Sequence, residues 1–339
     1  MQRAIRLAIL HAARLCGLFA LARYLTRGKL RILAYHGGSL ADEHGFRPVL
    51  FMTAGTFRQR MDWLVAQRYP VLGLEAALEA LDLGRLPPAA TVITIDDGWY
   101  GTYRWMAPAL AQRRLPATLY VTTYYLQAGT QVFNVAAAYL LWKARDRDVR
   151  LDGLVPGFAE PVPAGATPAR DRALAAIAQF ADSLPGPAAR QALLVRLGDA
   201  VGVPVGPLEA DRRLAFMSAA EARELPGMGI DLQLHTHRHR FPRDLAAARR
   251  EIDDNRSVLA TVTGGELCHF CYPSGEYAPD QPAWLPALGL ASAVTTEPGL
   301  NDRQTPRGEL RRILDSEAME PIEFEAEMSG FRELFRRKR

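Results

Sequence analysis

Three short polar clusters in the chain have residue types and spacing that could do chemistry. The first is TIDDGW, in which Asp96 and Asp97 follow an apolar run and precede Gly98, which has no side chain to oppose a sharp turn. Adjacent carboxylates at a strand end point in different directions, so one can bind a metal while its neighbour handles protons, and their repulsion separates their pKa values. Taken alone, such a turn is also an ordinary cap. The second cluster is LHTHRH, where His235, His237 and His239 are three of the chain's seven histidines. Imidazole is a preferred ligand of zinc and related divalent ions, and the i, i+4 spacing of His235 and His239 lets both converge if the chain enters a helical turn. His237 then points elsewhere, to a structural or rim position. With Asp97 the set is two imidazoles and one carboxylate, which leaves positions open for water and substrate on a catalytic divalent metal, with zinc the first candidate. The third cluster is CHFCYPSGEY, where Pro273 and Gly275 around Ser274 make a tight turn able to aim a backbone N–H into a cleft. Cys268 and Cys271 have CxxC spacing, but no second cysteine pair exists and His269 and Phe270 read as strand. Two buried thiols are therefore expected rather than a zinc knuckle or redox pair. Trp99, Tyr272 and Pro273, within these clusters, are the candidate substrate-binding residues.

Rigid elements must bring these clusters together. β-rich runs recur at RILAYH (31–36), TVITID (91–96), ATLYVTT (117–123), DLQLHT (231–236), CHFCYP (268–273), ASAVTT (291–296) and LRRIL (310–314). Between them, segments 56–69, 73–83, 103–114, 218–225, 244–263 and 281–288 carry apolar residues at helical spacing, several opened by Ser, Thr or Asp. Strands alternating with helices imply a parallel sheet, and seven strands suffice to close a barrel. All three clusters stand at C-terminal strand ends, where the loops of a parallel barrel converge on an active site. Residues 129–215 break the pattern, being rich in Ala, Pro and Gly with helical patches and no strand signal. They read as a helical insertion, either a lid or a passive decoration. The expected organisation is an amphipathic helix over 1–28, a barrel over 29–128 and 216–330, the insertion over 129–215, and a basic tail over 331–339.

At 339 residues and 49% hydrophobic content the chain can bury a sizeable core, which excludes a disordered or small disulfide-stapled protein. Its net charge of +4 is unevenly spread: residues 1–31 hold seven basic and no acidic residues, 331–339 hold five against one, and 32–330 carry a net −7. An acidic body does not suit nucleic acid. Basic ends suit an anionic membrane surface, or are simply solvated. Within 1–28, Arg6, His11, Arg14 and Arg23 interrupt the apolar residues too often for a signal peptide or a spanning helix. An interfacial helix with snorkelling arginines is expected, or one packed on the domain's own surface. Three cysteines fit a reducing compartment, so the expected location is the cytoplasm, peripherally at the inner face of the membrane.

Taken together, the motifs resemble the polysaccharide deacetylases with a NodB homology domain. TIDDG looks like the family's TFDDG, HTHRH fits H-[ST]-x-x-H, and FCYPSG resembles a third motif ending in P-x-G. The opening LAYHG and the closing TPRGELRRIL are similar to the exopolysaccharide-cluster branch. The resemblance covers about residues 30–125 and 216–330. It implies a distorted (β/α)7 barrel that removes acetyl groups from amino sugars with a divalent metal, usually zinc. It further implies Asp97, His235 and His239 as ligands, Asp96 as general base and the Ser274 N–H as oxyanion donor. The substrate would be an N-acetylated saccharide of a polysaccharide or its lipid-linked precursor. Two features depart from the family: the arginine that usually opens the third motif has no counterpart in LCHFCYP, and no L-x-H motif supplies a general-acid histidine after residue 269. Arg312 in LRRIL is the candidate to orient Asp96, unless it is a surface arginine. His36, directly after the strand RILAY, is the candidate general acid, or else a partner holding Asp96 or a ligand in place. Two other functions stay open: a deformylase of a lipid-linked formamido sugar, which needs the same amide chemistry, and an inactive sugar-binding scaffold of a polysaccharide assembly complex.

Overall fold

The structure, a computed structural model, describes residues 2–128 and 131–336. All seven β-rich runs form strands: β1 Arg31–Tyr35, β2 Thr91–Asp97, β3 Ala117–Val121, β4 Ile230–Leu234, β5 His269–Cys271, β6 Ser292–Pro298 and β7 Leu310–Leu314. They pair in chain order and β7 closes on β1. The fold is α/β, a closed parallel barrel with the distorted (β/α)7 arrangement. β1, β2 and β3 are buried along their whole length, which is why they show no alternation of apolar and polar residues.

The helices are α1 Gln2–Leu15, α2 Leu18–Leu25, α3 Ala54–Ala66, α4 Leu74–Asp82, α5 Phe133–Lys143, α6 Thr167–Asp182, α7 Pro187–Val201, α8 Leu245–Leu259 and α9 Pro321–Met328, with shorter turns between. Side-chain caps open α3 and α8: Thr53 accepts from the Thr56 N–H and Asp244 from that of Ala247. The segment 281–288 is not a helix as its spacing suggested. Pro282 and Pro286 remove N–H donors, and it forms two single 3₁₀ turns.

Residues 133–201 are mainly helical and add a two-stranded antiparallel ribbon, Asp148–Val149 with Val162–Pro163, too short to leave a pattern in the sequence. The insertion has its own core, which Phe51 and Trp99 of the barrel mouth join.

The N-terminal segment is two helices, not one. Gly17 adopts φ 75°, a left-handed conformation, and α1 and α2 meet at 76° there. Among the described residues no single helix is long and apolar enough to cross a membrane. Leu10, Ala13 and Phe19 pack on Ile322 and Ala326 of α9. Arg3, Arg6 and Arg14 pair with Glu320, Glu323 and Glu325. Part of the supposed basic tail is folded too: Phe331 packs on Phe19, and Arg332 and Arg336 pair with Glu323, Glu327 and Glu333. The last three residues of that tail lie outside the described chain.

Candidate active site

Strand register sets the site before any side chain is placed. Tyr35 pairs with Ile95, so His36 and Asp96 leave neighbouring strand ends together. Asp97 is level with Val121, Val121 with Leu234 and Leu234 with Phe270, which brings Asp97, His235 and Cys271 to one rim. Thr94 and Asp96, two residues apart and hence on one face of β2, both meet the Arg312 guanidinium.

Asp97, His235 and His239 converge. Asp97 Oδ1 lies 3.2 Å from His235 Nε2 and 3.3 Å from His239 Nε2. The turn between the histidines is not helical. Left-handed backbone at Thr236 (φ 63°) and His239 (φ 55°) folds the chain back and brings the second ring round. With Asp97 (φ 76°) and Ser274 (φ 58°), four non-glycine residues of the three clusters hold conformations that side chains disfavour. Such strain concentrates at functional sites. Gly275 has no room for a side chain, since a Cβ there would clash with the Thr296 side chain.

The donor set fits a divalent metal. His235 Nδ1 lies 2.8 Å from the Cys271 carbonyl and donates to it, so the neutral ring carries its lone pair on Nε2, toward Asp97 Oδ1. Two lone pairs at that separation repel unless a proton or cation lies between them. Ligands about 2.1 Å from a tetrahedral ion stand about 3.4 Å apart, close to both separations here. The Trp99 indole N–H donates to Asp97 Oδ2 at 2.8 Å and leaves Oδ1 for the cation. Burial pushes the Asp97 carboxyl up, but the adjacent His235 and His239 rings outweigh it and hold it well below the usual range, so Asp97 stays an anionic donor. Burial lowers His239, and the Asp97 carboxylate more than reverses that.

Asp96 stands beside this set in a different environment. Arg312, only 1% exposed, donates Nη1 to Oδ1 and Nη2 to Oδ2, both at 2.8 Å, and its Nε donates to the Thr295 carbonyl. It is not a surface arginine. Burial raises the Asp96 carboxyl, but the Arg312 charge, with His36 and His235, brings it below its ordinary value. His36 Nε2 is 3.7 Å from Asp96 Oδ2, on a partly exposed ring whose backbone carbonyl accepts from the Thr102 hydroxyl.

The remaining candidates have other surroundings. His237 turns away and bonds Thr123 Oγ1. His269, at the start of β5, lies at the opposite barrel end from the site and bonds Ser292 and Glu75. Of the two thiols expected to be buried, Cys271 is and Cys268 is not. In the PSG turn, Gly275 and Glu276 donate to the Tyr272 and Pro273 carbonyls, and the Ser274 N–H is outside those bonds. Tyr272 lines the cleft with its hydroxyl donated to the Gly308 carbonyl, while Pro273 is buried and outside the cleft lining. Trp99 lines the cleft with its indole N–H engaged by Asp97. Reading the sequence missed Asn255 and the Cys271 contacts. Asn255 on α8 accepts from the His235 N–H and donates to Thr123 Oγ1 and the Val121 carbonyl. The Cys271 thiol donates to Asp96 Oδ2 at 3.4 Å.

His36, Asp96, Asp97, His235, His239 and Arg312 line a cleft of about 520 Å³, one wall of which comes from α5 through Asn134 and Val135. The fold and site define a (β/α)7 barrel with a buried carboxylate–arginine pair next to a His–His–Asp cluster. Among solved structures the chain is similar to the deacetylase PplD of Streptococcus pyogenes, solved in complex with acetate. The two are 18% identical, over 88% of this chain and 98% of that one, with a TM-score of 0.57. It is similar to IcaB from Ammonifex degensii at 16% identity over 89% and 97%, TM-score 0.56. The BpsB deacetylase domain from Bordetella bronchiseptica matches at 17% over 84% and 94%, TM-score 0.50. These likenesses are of fold. The chain matches no sequence-family model and no curated protein.

Proposed function

We propose that the chain is a divalent-metal-dependent N-deacetylase of the polysaccharide deacetylase family, acting on an acetamido sugar of a polysaccharide or its lipid-linked precursor. The convergence of Asp97, His235 and His239 beside an Arg312-held Asp96 carries this reading. The relatives in fold described as deacetylases, one of them bound to acetate, support it. A divalent cation, zinc by the N,N,O donor set, would be held by Asp97, His235 and His239 and would supply Lewis acidity to the amide carbonyl and to water. Asp96, kept ionised by Arg312, accepts a proton from the attacking water. The Ser274 N–H donates to the oxyanion as the C–O bond forms. His36 gives a proton to the nitrogen as the C–N bond breaks, so that acetate and a free amine leave. The insertion, by forming one wall of the cleft, restricts which saccharides enter.

Acetate release from N-acetylated oligosaccharides by the zinc-loaded protein tests this reading. Formate from a formamido sugar would indicate the deformylase instead, and saccharide binding with neither product would leave the scaffold. The acid role of His36 has its own test. His36→Ala is expected to retain metal while kcat falls by about 10² to 10⁴, the span of one general acid. Turnover at the wild-type rate would eliminate His36, and loss of metal would move it into the ligand set.

We also propose that α1 and α2 rest on lipid. Ile5, Ile9, Leu15, Leu21 and Leu25 are each more than half exposed on this helix pair. Because Arg3, Arg6 and Arg14 are paired with α9 glutamates, attachment is apolar, unlike the electrostatic attachment expected from charge distribution. Burying one such side chain stabilises by about 1.5–3 kcal/mol. The double change Ile9→Asp and Leu21→Asp should therefore lower vesicle co-sedimentation at least about tenfold. Raising salt should change it little, and unchanged sedimentation of the double variant would refute the attachment.

A further inference from the structure

The active-site cleft contains a cation that neither the proposed metal set nor the Asp96 pair uses. Arg47 lies in the loop between the turn Glu43–Phe46 and the short strand Phe51–Met52, and its side chain lines the cleft with Asp96 and Asp97. The other two guanidiniums lining the cleft are engaged: Arg312 by Asp96, and Arg238 by Glu251 at 3.0 Å and Asp254 at 3.1 Å. Among the described residues, the Arg47 guanidinium has no ion pair and no side-chain hydrogen bond. Its recorded neighbour is the Phe46 ring, 5.1 Å away. Burial draws it below the ordinary arginine range, and no nearby carboxylate opposes that. Both carboxylates of the cleft are committed, Asp96 to Arg312 and Asp97 to the histidines and Trp99.

A half-buried guanidinium without a counter-ion is unfavourable, and more so once a ligand expels the water that solvates it. A neutral saccharide filling this cleft would leave the charge dry and unpaired. A ligand with its own oxyanion would pair it in the two-pronged geometry that guanidinium offers phosphate and carboxylate. We propose that Arg47 is a specificity-determining residue that binds an oxyanion of the substrate, so that the saccharide processed here is anionic, with a phosphate ester or a carboxylate on or next to the acetamido sugar. That the ligand is an acetamido sugar rests on the function proposed above, and that it is anionic rests on Arg47.

The test is calorimetric binding of three probes to the zinc-loaded full chain: N-acetylglucosamine 1-phosphate, a disaccharide of N-acetylglucosamine with glucuronate, and the neutral methyl N-acetylglucosaminide. At least one anionic probe should bind about 10- to 100-fold tighter than the neutral one, the gain expected of a charge-assisted contact. The two anionic probes separate phosphate from carboxylate. Arg47→Gln should bring that ratio close to one, and Arg47→Lys, which keeps charge without the planar fork, should restore part of it. A wild-type ratio near one overturns the proposal. So does a ratio that survives in Arg47→Gln, because the anion would then be held at the metal. Acetate release is read separately: the predicted ratio without acetate from any probe refutes deacetylation and leaves the anion site standing, whereas equal kcat/KM for charged and neutral probes refutes the anion site and leaves deacetylation.

Discussion

Asp97→Ala, His235→Ala and His239→Ala are each expected to take the protein from one bound divalent cation per chain to none, and to abolish turnover. The expectation comes from the lone pairs on Asp97 Oδ1, His235 Nε2 and His239 Nε2, which face one another at 3.2 and 3.3 Å and need a positive charge between them. Removing one donor leaves two, too few for a catalytic site that must also hold water and substrate. Changing a residue that only orients a ligand costs about 10- to 100-fold in metal affinity. Trp99→Phe, which removes the indole N–H from Asp97 Oδ2, should fall in that range and so sets the scale against which ligand loss is judged. Elemental analysis after dialysis measures occupancy. Thermal denaturation gives an independent reading, since zinc at about 100 times its Kd should stabilise the wild type by about 2.7 kcal/mol and the three alanine variants not at all. Full occupancy in all three variants would remove the cation from this site.

The parts of this arrangement that could be read from sequence are those fixed by short stretches of chain. Runs such as TVITID and ATLYVTT are legible as strands because they are short, rich in β-branched and apolar residues, and buried on both faces. The polar clusters were conspicuous because they end such runs. What could not be read depends on residues that meet only after the barrel closes. Asn255 holds the His235 backbone from 20 positions away on a charged helix, and no spacing rule singles it out. Arg312 could be named as a candidate, but its burial follows from the pairing of β7 with β1 and β6. Of the two readings of the basic N-terminal segment, packing on the domain's own surface is visible in the fold: it faces α9, where Arg6 meets Glu323 across 317 residues. The His235–His239 convergence was expected through a helical turn and is achieved through two left-handed residues, which periodicity cannot report.

Asp96→Asn separates the base from the ligands, and the Arg312 pair determines what else it should do. The variant should keep its metal, because Asp96 contributes no atom to the Asp97, His235 and His239 set, and should lose about 10² to 10⁴ in kcat because an amide cannot accept the proton. The substitution is not benign, however. Both Asp96 oxygens accept from Arg312 at 2.8 Å, and an amide sets an NH₂ against a guanidinium N–H. Breaking one partner of a buried pair costs about 3–5 kcal/mol, so Asp96→Asn should also melt earlier. Arg312→Met should cost a similar amount by stranding the Asp96 carboxylate, and should slow turnover by releasing the base from its orientation. Removing both charges leaves no unpaired charge, so the double variant Asp96→Asn with Arg312→Met should recover part of the lost stability and none of the activity. Recovery of stability without activity assigns the kcat loss to the missing proton acceptor rather than to a loosened barrel. Wild-type turnover in Asp96→Asn, or recovered turnover in the double variant, would show that the proton goes elsewhere.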